Sequence, residues 1–449
     1  MFYCREKKGS LNFKASDVLV FVTLVLAFVL LFAASQAFAE KTQIKIGVIG
    51  PMDYMQGRHH WMGAEMAAEE INATGGVYLD GKQCSIELVQ ADSNEMKSIP
   101  DAIGVMERLI TSNEVDFVVG GFRSEAVLGM QDVASRYKKI FINVGSGHPQ
   151  LTQRVNEDYD KYKYFFRLGS CNMELAEQIH LAALKMVTDA VTRELGIKKP
   201  KVALLGEKLM WVDPTFELIK DHAAELGIEV VGEWRPSYSS NDLTAEFTGI
   251  KNAGAQVIYD IASGPVAQTF SKQWGEMKIP AAAIGINVPA QDSEFWKKTN
   301  GNVEYEAAWS TFPPVPMTER TLPYIEKFKK INNTAPSVYS QTYEAVYILK
   351  KAIERAGGNL DADRVVQELE KTDHVAAVGR IRFTDRDDKY THDMRIEPGY
   401  VTTSFIQWLD EAQVCVWPPP GGEWKGVKYE GTEYYKLPPW VVAYWKDRE

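Results

Sequence analysis

The sequence predicts an α/β protein built from two doubly wound parallel-sheet lobes. Three observations predict it. Short apolar runs alternate with amphipathic runs from Ile44 to Ile286, the rhythm of parallel strands joined by helical crossovers. That rhythm breaks once, at the aromatic and charged stretch NEDYDKYKYFFR (Asn156 to Arg167), and then restarts. A chain of 449 residues also exceeds one ordinary core, so two domains are the first expectation.

The opening unit sets the pattern. IKIGVIG (Ile44 to Gly50) reads as a strand and PMDYMQGRHHW as a loop. MGAEMAAEEINA follows as a helix, with Ala64, Ala67, Ala68 and Ile71 at i, i+3, i+4 and i+7, and Gly75-Gly76 stopping it. The loop carries Tyr54, Gln56, Arg58, His59, His60 and Trp61, all able to touch a ligand. A strand that delivers a loop to a helix start is the ligand-holding unit of open sheets. Strand, helix, strand, helix, strand then follow as Ile86–Gln90, Ile99–Ile110, Phe117–Gly120, Glu125–Tyr137 and Ile140–Val144. The broken stretch is expected to contain the first crossing between lobes.

The second half repeats the pattern without repeating the residues. Helices are expected at Met173–Leu195, Pro214–Leu226, Leu243–Ala253 and Val266–Met277. Strands are expected at Val202–Leu205, Ile228–Trp234, Val257–Asp260 and Ala281–Ile286. The proline-dense TFPPVP (Thr311 to Pro316) reads as a crossing segment. Helices near Thr321–Ile331, Ser340–Ala356 and Ala362–Lys371 follow.

Composition narrows the function. The chain is 45% hydrophobic and 24% charged, with a formal net charge of −10 and no dense basic stretch, which argues against nucleic acid as a partner. Arg5, Lys7, Lys8 and Lys14 precede an apolar run from Val18 to Ala34, and Ala37-Phe38-Ala39 fits a small-x-small cleavage site: the expectation is a secretory signal peptide over residues 1–39, with an uncleaved membrane anchor as the alternative. Cys4 lies in that leader, leaving Cys84, Cys171 and Cys415, an odd number with no metal-ligand spacing. There is no phosphate-binding loop, His-Glu-x-x-His or nucleophile elbow, and GSGHPQ (Gly145 to Gln150) has Gln150 where a dinucleotide fingerprint needs its third glycine. No enzyme, cofactor or metal site is therefore expected.

The strand, Gly-Pro, loop and helix ending in EEIN with a Gly-Gly turn resembles the opening of the periplasmic binding proteins of branched-chain amino acid and amide ABC importers. The resemblance returns at QTYEAVYILKKAI, at GRIRFTDRDDKY and at the YYKLPPW ending. It implies a two-lobed Venus-flytrap fold of the leucine-binding, type I kind, with about three crossovers. The implied division is 40–166 plus 312–375 for the first lobe, 167–311 plus 376–410 for the second, and 411–449 as a tail.

Candidate ligand contacts follow from both sources. In GGFRSEA, Ser124 is a good cap for the helix beginning at Glu125, whose free N–H groups and dipole attract a carboxylate. By resemblance, Phe122, Arg123 and Ser124 line the cleft. Gly145, Ser146, Gly147 and His148 match the loop that lends backbone and hydroxyl groups to a ligand carboxylate. Trp211 stands where the family has an aromatic that closes over the ligand, and Ser263 matches another cleft loop. Asn287 falls where amino-acid-binding members place an acid; an amide cannot neutralise an ammonium. Tyr54 completes the set. The resemblance implies a periplasmic, monomeric solute-binding protein that delivers a small carboxylate (branched-chain amino acid, amide or aromatic acid) to an inner-membrane ABC permease. The same fold also serves ligand-sensing receptor subunits, the alternative.

Overall fold

In the computed structural model, which describes residues 43–169 and 172–448, the parallel rhythm becomes two separate sheets. The leader, Cys4 and Cys171 lie outside the described residues. Strands β1 (Gln43–Gly50), β2 (Val77–Leu79), β3 (Lys82–Asp92), β4 (Phe117–Gly120), β5 (Ile140–Val144) and β6 (Phe165–Leu168) form the first sheet, in the order β2-β3-β1-β4-β5-β6. The second contains β7 (Lys201–Gly206), β8 (Glu229–Trp234), β9 (Val257–Ala262), β10 (Ala282–Asn287) and β11 (Ala307–Ser310). After the short hairpin β12 (His374–Ala376) and β13 (Gly379–Ile381), β14 (Ser404–Leu409) and β15 (Ala412–Trp417) add antiparallel to β11, giving β15-β14-β11-β10-β9-β7-β8.

Each sheet is covered on both faces, as a parallel sheet must be. One face of the first sheet takes the Ile99–Thr111 and Ser124–Arg136 helices. The other takes Met55–Ala73 together with the late Thr321–Asn332, Thr342–Arg355 and Ala362–Glu370 helices. In the second lobe the Glu177–Leu195 helix and the terminal Pro439–Lys446 helix share one core, and Thr244–Asn252 and Pro265–Glu276 share the other. No described helix is long and apolar enough to cross a membrane.

Several expectations are corrected. The first helix starts at Met55, seven residues before the apolar pattern begins, so Gln56, Arg58, His59, His60 and Trp61 are helical. Gly57 and Gly63 lower helix propensity but allow contact: a Cβ would fall 2.4 Å from the Pro51 carbonyl and 2.3 Å from that of Ser340. The broken stretch holds β6, so the chain leaves the first sheet only after Leu168. Ile381, Phe383, Met394 and Val401 pack in the first core, where a second-lobe position was expected. Of the expected tail, 411–449, the described residues contain the edge strand β15, a β-hairpin and a helix whose Val441 is fully buried. Cys84 and Cys415 are both buried.

The second lobe also encloses an acid pair. Asp260 on β9 sits beside Gly285 on β10, which in turn sits beside Ala308 on β11. Glu306 precedes β11 and accepts from Asn287 Nδ2 at 2.6 Å; neither oxygen of Asp260 has a partner among the described residues. Burial and mutual repulsion push the Asp260 carboxyl well up, and burial pushes that of Glu306 to about 8. The native state thus keeps protons that the unfolded chain releases above about pH 4, and stability falls as pH rises from there toward 8. Asp260→Asn is expected to raise the melting temperature over wild type by more at pH 8 than at pH 5. An equal shift at both, by calorimetry, would remove the pair as the cause.

Candidate functional site

The carboxyl ends of β4 and β5 in the first lobe face those of β7, β9 and β10 in the second, where open α/β sheets hold ligands. A cavity with about 440 Å³ of unfilled space, mouth included, lies between them. The first lobe contributes Phe122, Arg123, Ser124, Gly145, Gly147, Val338 and Tyr339. Leu209, Trp211, Ser263, Ile286, Val288 and Trp309 come from the second, and Met173 from the crossing between them. Seven sequence-predicted residues are therefore brought together: Phe122, Arg123, Ser124, Gly145, Gly147, Trp211 and Ser263.

The other four lie elsewhere. Ser146 is fully buried behind the wall, its hydroxyl donating to the Phe122 carbonyl at 2.7 Å. The His148 main chain donates to Ser124 Oγ at 3.3 Å, while its ring accepts from Gln150 N–H. Burial and the nearby Arg167 guanidinium lower the His148 imidazole pKa, favouring its neutral form. Asn287 turns inward to Ser271 and Glu306, and its carbonyl caps Ala290 N–H at 3.2 Å. Tyr54 borders a separate depression with Gln56 and Tyr238. His59 and His60 are committed to Ser337 Oγ and the Val144 carbonyl, and burial lowers both to about 4; they form no metal site.

Sequence reasoning missed the apolar wall. Val338 and Tyr339 precede the Thr342–Arg355 helix, more than 200 residues from Phe122, yet the Tyr339 ring meets Phe122 edge-on at 5.4 Å. Gly145 (φ +102°) makes room: a Cβ there would fall 2.5 Å from the Tyr339 ring. Ile286 and Val288 flank Asn287, so the strand's alternation turned the neighbours, not the amide, to the cavity.

Buried ionic groups hold the wall from behind. Glu95 accepts from the main-chain N–H of Phe122 (3.2 Å) and Arg123 (2.6 Å), and burial pushes its carboxyl up to about 7. Arg167, fully buried and paired with Asp393, donates to the carbonyls of Ser146 (3.2 Å) and His148 (2.8 Å). In the second lobe Glu207 accepts from Trp211 Nε1 at 2.9 Å, Gly264 N–H at 3.1 Å and the Ser263 hydroxyl; burial raises its pKa.

These bonds fix what the cavity offers. Ser124 accepts from His148, leaving its own proton to donate; Ser263 has spent its proton on Glu207 and offers lone pairs. Arg123 now occupies the cap position and Ser124 begins the helix, so the first-turn N–H groups and the positive end of the dipole face the same end. Hydrogen bonds that cross the cleft among the described residues run from Gln56 Nε2 to the Ser263 carbonyl (3.0 Å), from Met210 N–H to Glu125 (3.2 Å) and from the Tyr238 hydroxyl to Met96 Sδ (3.9 Å).

The family model of periplasmic binding proteins matches residues 43–397. An amino acid binding protein from Pseudomonas aeruginosa is 26% identical over 354 residues, covering 77% of this chain and 87% of that one. Among solved structures, a branched-chain amino acid ABC transporter protein from Silicibacter pomeroyi superposes with a TM-score of 0.71 at 21% identity, over 89% of this chain and 100% of that one. A solute-binding protein of an ABC transporter from R. palustris, in complex with benzoate, gives 0.67 at 15%, over 87% and 98%.

Glu207→Ala strands two buried donors, the Ser263 hydroxyl and Gly264 N–H, and frees the half-buried Trp211 indole. It is expected to destabilise the fold by roughly 2–6 kcal/mol, at about 1–3 kcal/mol for each of the two buried donors left unsatisfied. Glu207→Gln, which keeps a carbonyl acceptor, is expected to lose less than half of that. Urea unfolding measures both, and equal losses would show that the acceptor does not matter.

Proposed function

The chain belongs to the periplasmic binding protein family, and from that premise we propose that it is an extracytoplasmic solute-binding protein which captures a small carboxylate by lobe closure and passes it, chemically unaltered, to an ABC permease. The observation that carries this reading is the charge of the wall. Among the described lining residues Arg123 is the one side chain with a formal charge; its Nε pairs with Glu125 at 3.3 Å, which leaves the terminal guanidinium N–H groups to meet a solute beside the first turn of the Ser124–Arg136 helix. A charged solute removed from water needs a partner of opposite sign. A cationic side chain, a helix N-terminus and the Ser124 hydroxyl suit an anion. The rest of the wall is apolar or aromatic and suits an uncharged body.

The same inventory bears on the amino-acid default of the family. An α-ammonium needs a carboxylate, yet Glu95 and Glu207 are engaged behind the wall, Glu125 accepts from Arg123 and from Met210 N–H, and Asn287 faces away. An acid without an ammonium therefore fits this wall better than an amino acid. Chemistry on the ligand has no evident agent. Ser124 meets the main chain of His148, and among the described residues its hydroxyl bonds to no histidine ring or carboxylate that would act as its base.

Closure supplies the binding free energy. The first lobe takes the carboxylate; the second closes, carrying Trp211 and Ser263, and the Gln56–Ser263 and Glu125–Met210 bonds form across the gap. In a thermal-shift screen of aliphatic amino acids, their amides and aromatic acids, a carboxylate is expected to raise the melting temperature. Ser124→Ala and Arg123→Ala are each expected to weaken it ten- to a hundredfold, as loss of a hydrogen bond to a charged group does. A ligand returned altered in mass, or affinity unmoved by either substitution, would overturn the reading.

A further inference from the structure

Five tryptophans of the second lobe place the indole N–H on a protein acceptor. The indole N–H of Trp274 donates to the Ala281 carbonyl at 2.8 Å, that of Trp408 to Ala290 at 3.1 Å, and that of Trp440 to Ile279 at 2.9 Å. Trp445 donates to Pro280 at 2.7 Å and Trp211 to Glu207 at 2.9 Å. Trp309 differs. Its side chain is 3% exposed, it lines the cavity, and its Nε1 meets no acceptor among the described residues. A sealed N–H that has lost water and gained nothing is costly, and native proteins keep few of them.

Position gives this orphan a meaning. Trp309 lies on β11, in the second lobe, while Arg123, Ser124 and the helix N-terminus belong to the first. It therefore addresses a part of the solute other than its carboxylate. Four aromatic rings line the cavity (Phe122, Trp211, Trp309 and Tyr339), and Ile286, Val288 and Val338 fill between them. Such walls fit a flat apolar body. On the second-lobe side, Ser263 can only accept, because Glu207 takes its proton.

We propose that Trp309 is a specificity-determining residue whose indole N–H donates to an oxygen carried by the ligand's body, so that the preferred solute is a ring-oxygenated aromatic carboxylate rather than the bare aromatic acid. This rests on the carboxylate-capture reading above and names the solute class within it. A ring hydroxyl supplies the acceptor that Trp309 lacks. An unsubstituted ring leaves the N–H stranded, and such a site discriminates against the analogue lacking the group.

Calorimetric titration of the full mature chain with benzoate, 3-hydroxybenzoate and 4-hydroxybenzoate tests this. Wild type is expected to bind at least one hydroxybenzoate about tenfold or more tighter than benzoate. Trp309→Phe keeps an aromatic wall and removes the donor; it is expected to bring that ratio close to one, whatever the change in affinity common to all three acids. Equal affinity of wild type for all three acids, or a ratio preserved in Trp309→Phe, overturns the assignment. Because the first comparison needs only wild type, a variant that fails to fold leaves the test standing. Tight binding of leucine with no binding of any aromatic acid overturns the assignment but spares carboxylate capture. Binding of no carboxylate at all overturns both.

Discussion

A loop that ends a parallel strand must present N–H groups to a cavity without collapsing onto its neighbours, and here buried ionic side chains meet that constraint. Glu95 grips the main chain of Phe122 and Arg123, Arg167 grips the carbonyls of Ser146 and His148, and Glu207 grips Trp211, Ser263 and Gly264. Each spends its hydrogen-bonding capacity on the protein. A buried charge that has no such partners is destabilising by several kcal/mol, so these groups belong with the loops they hold. The consequence is selective: the loops keep their donors on the cavity side, while the acids that could have met an ammonium are engaged behind it.

Arg167 carries that constraint into the hinge. Its partner Asp393 also accepts from Thr152 Oγ1 at 2.8 Å and Asn172 Nδ2 at 2.7 Å. Thr152 belongs to the helix after the Gly145–His148 loop, and Asn172 to the chain that leaves the first sheet. One buried cluster thus joins the ligand loop, the end of β6 and the first crossing. Asp393 lies in the segment whose Met394 and Val401 pack in the first core, which explains why that late segment stays with the first lobe.

Much of this was legible in the sequence, for reasons of period and position. Fully buried parallel strands such as Phe117–Gly120 and Ile140–Val144 are short apolar runs, and the structure returns those two with the same ends. Glycine-rich loops at strand ends marked Gly145 and Gly147 without any partner being known. The failures share a different cause. Met55–Trp61 looked like a loop because glycine and histidine are weak helix formers; Gly57 is there for close approach to the Pro51 carbonyl, and His60 for its bond to the Val144 carbonyl, which is distant in sequence. Asn287 sat at the right strand end but on the wrong face of the alternation, with Ile286 and Val288 turned to the cavity in its place. Glu95, Val338 and Tyr339 reach the site from segments whose local pattern says nothing about it.

The two walls divide the work between strength and selection. The first-lobe end is charged, built on a helix terminus, and indifferent to what lies beyond the carboxylate. Apolar contact with Leu209, Ile286 and Val288 rewards any body of suitable size, at roughly 25 cal/mol per Å² buried, and so discriminates weakly. Discrimination comes from groups that lose more than they gain when unmatched, and the second-lobe wall has two: the acceptor-only Ser263 and the unpartnered indole of Trp309. Both sit on the lobe that, in the proposed capture, closes second. The carboxylate is therefore caught before it is judged, and a solute that leaves Trp309 stranded weakens the closed form while leaving the first encounter intact.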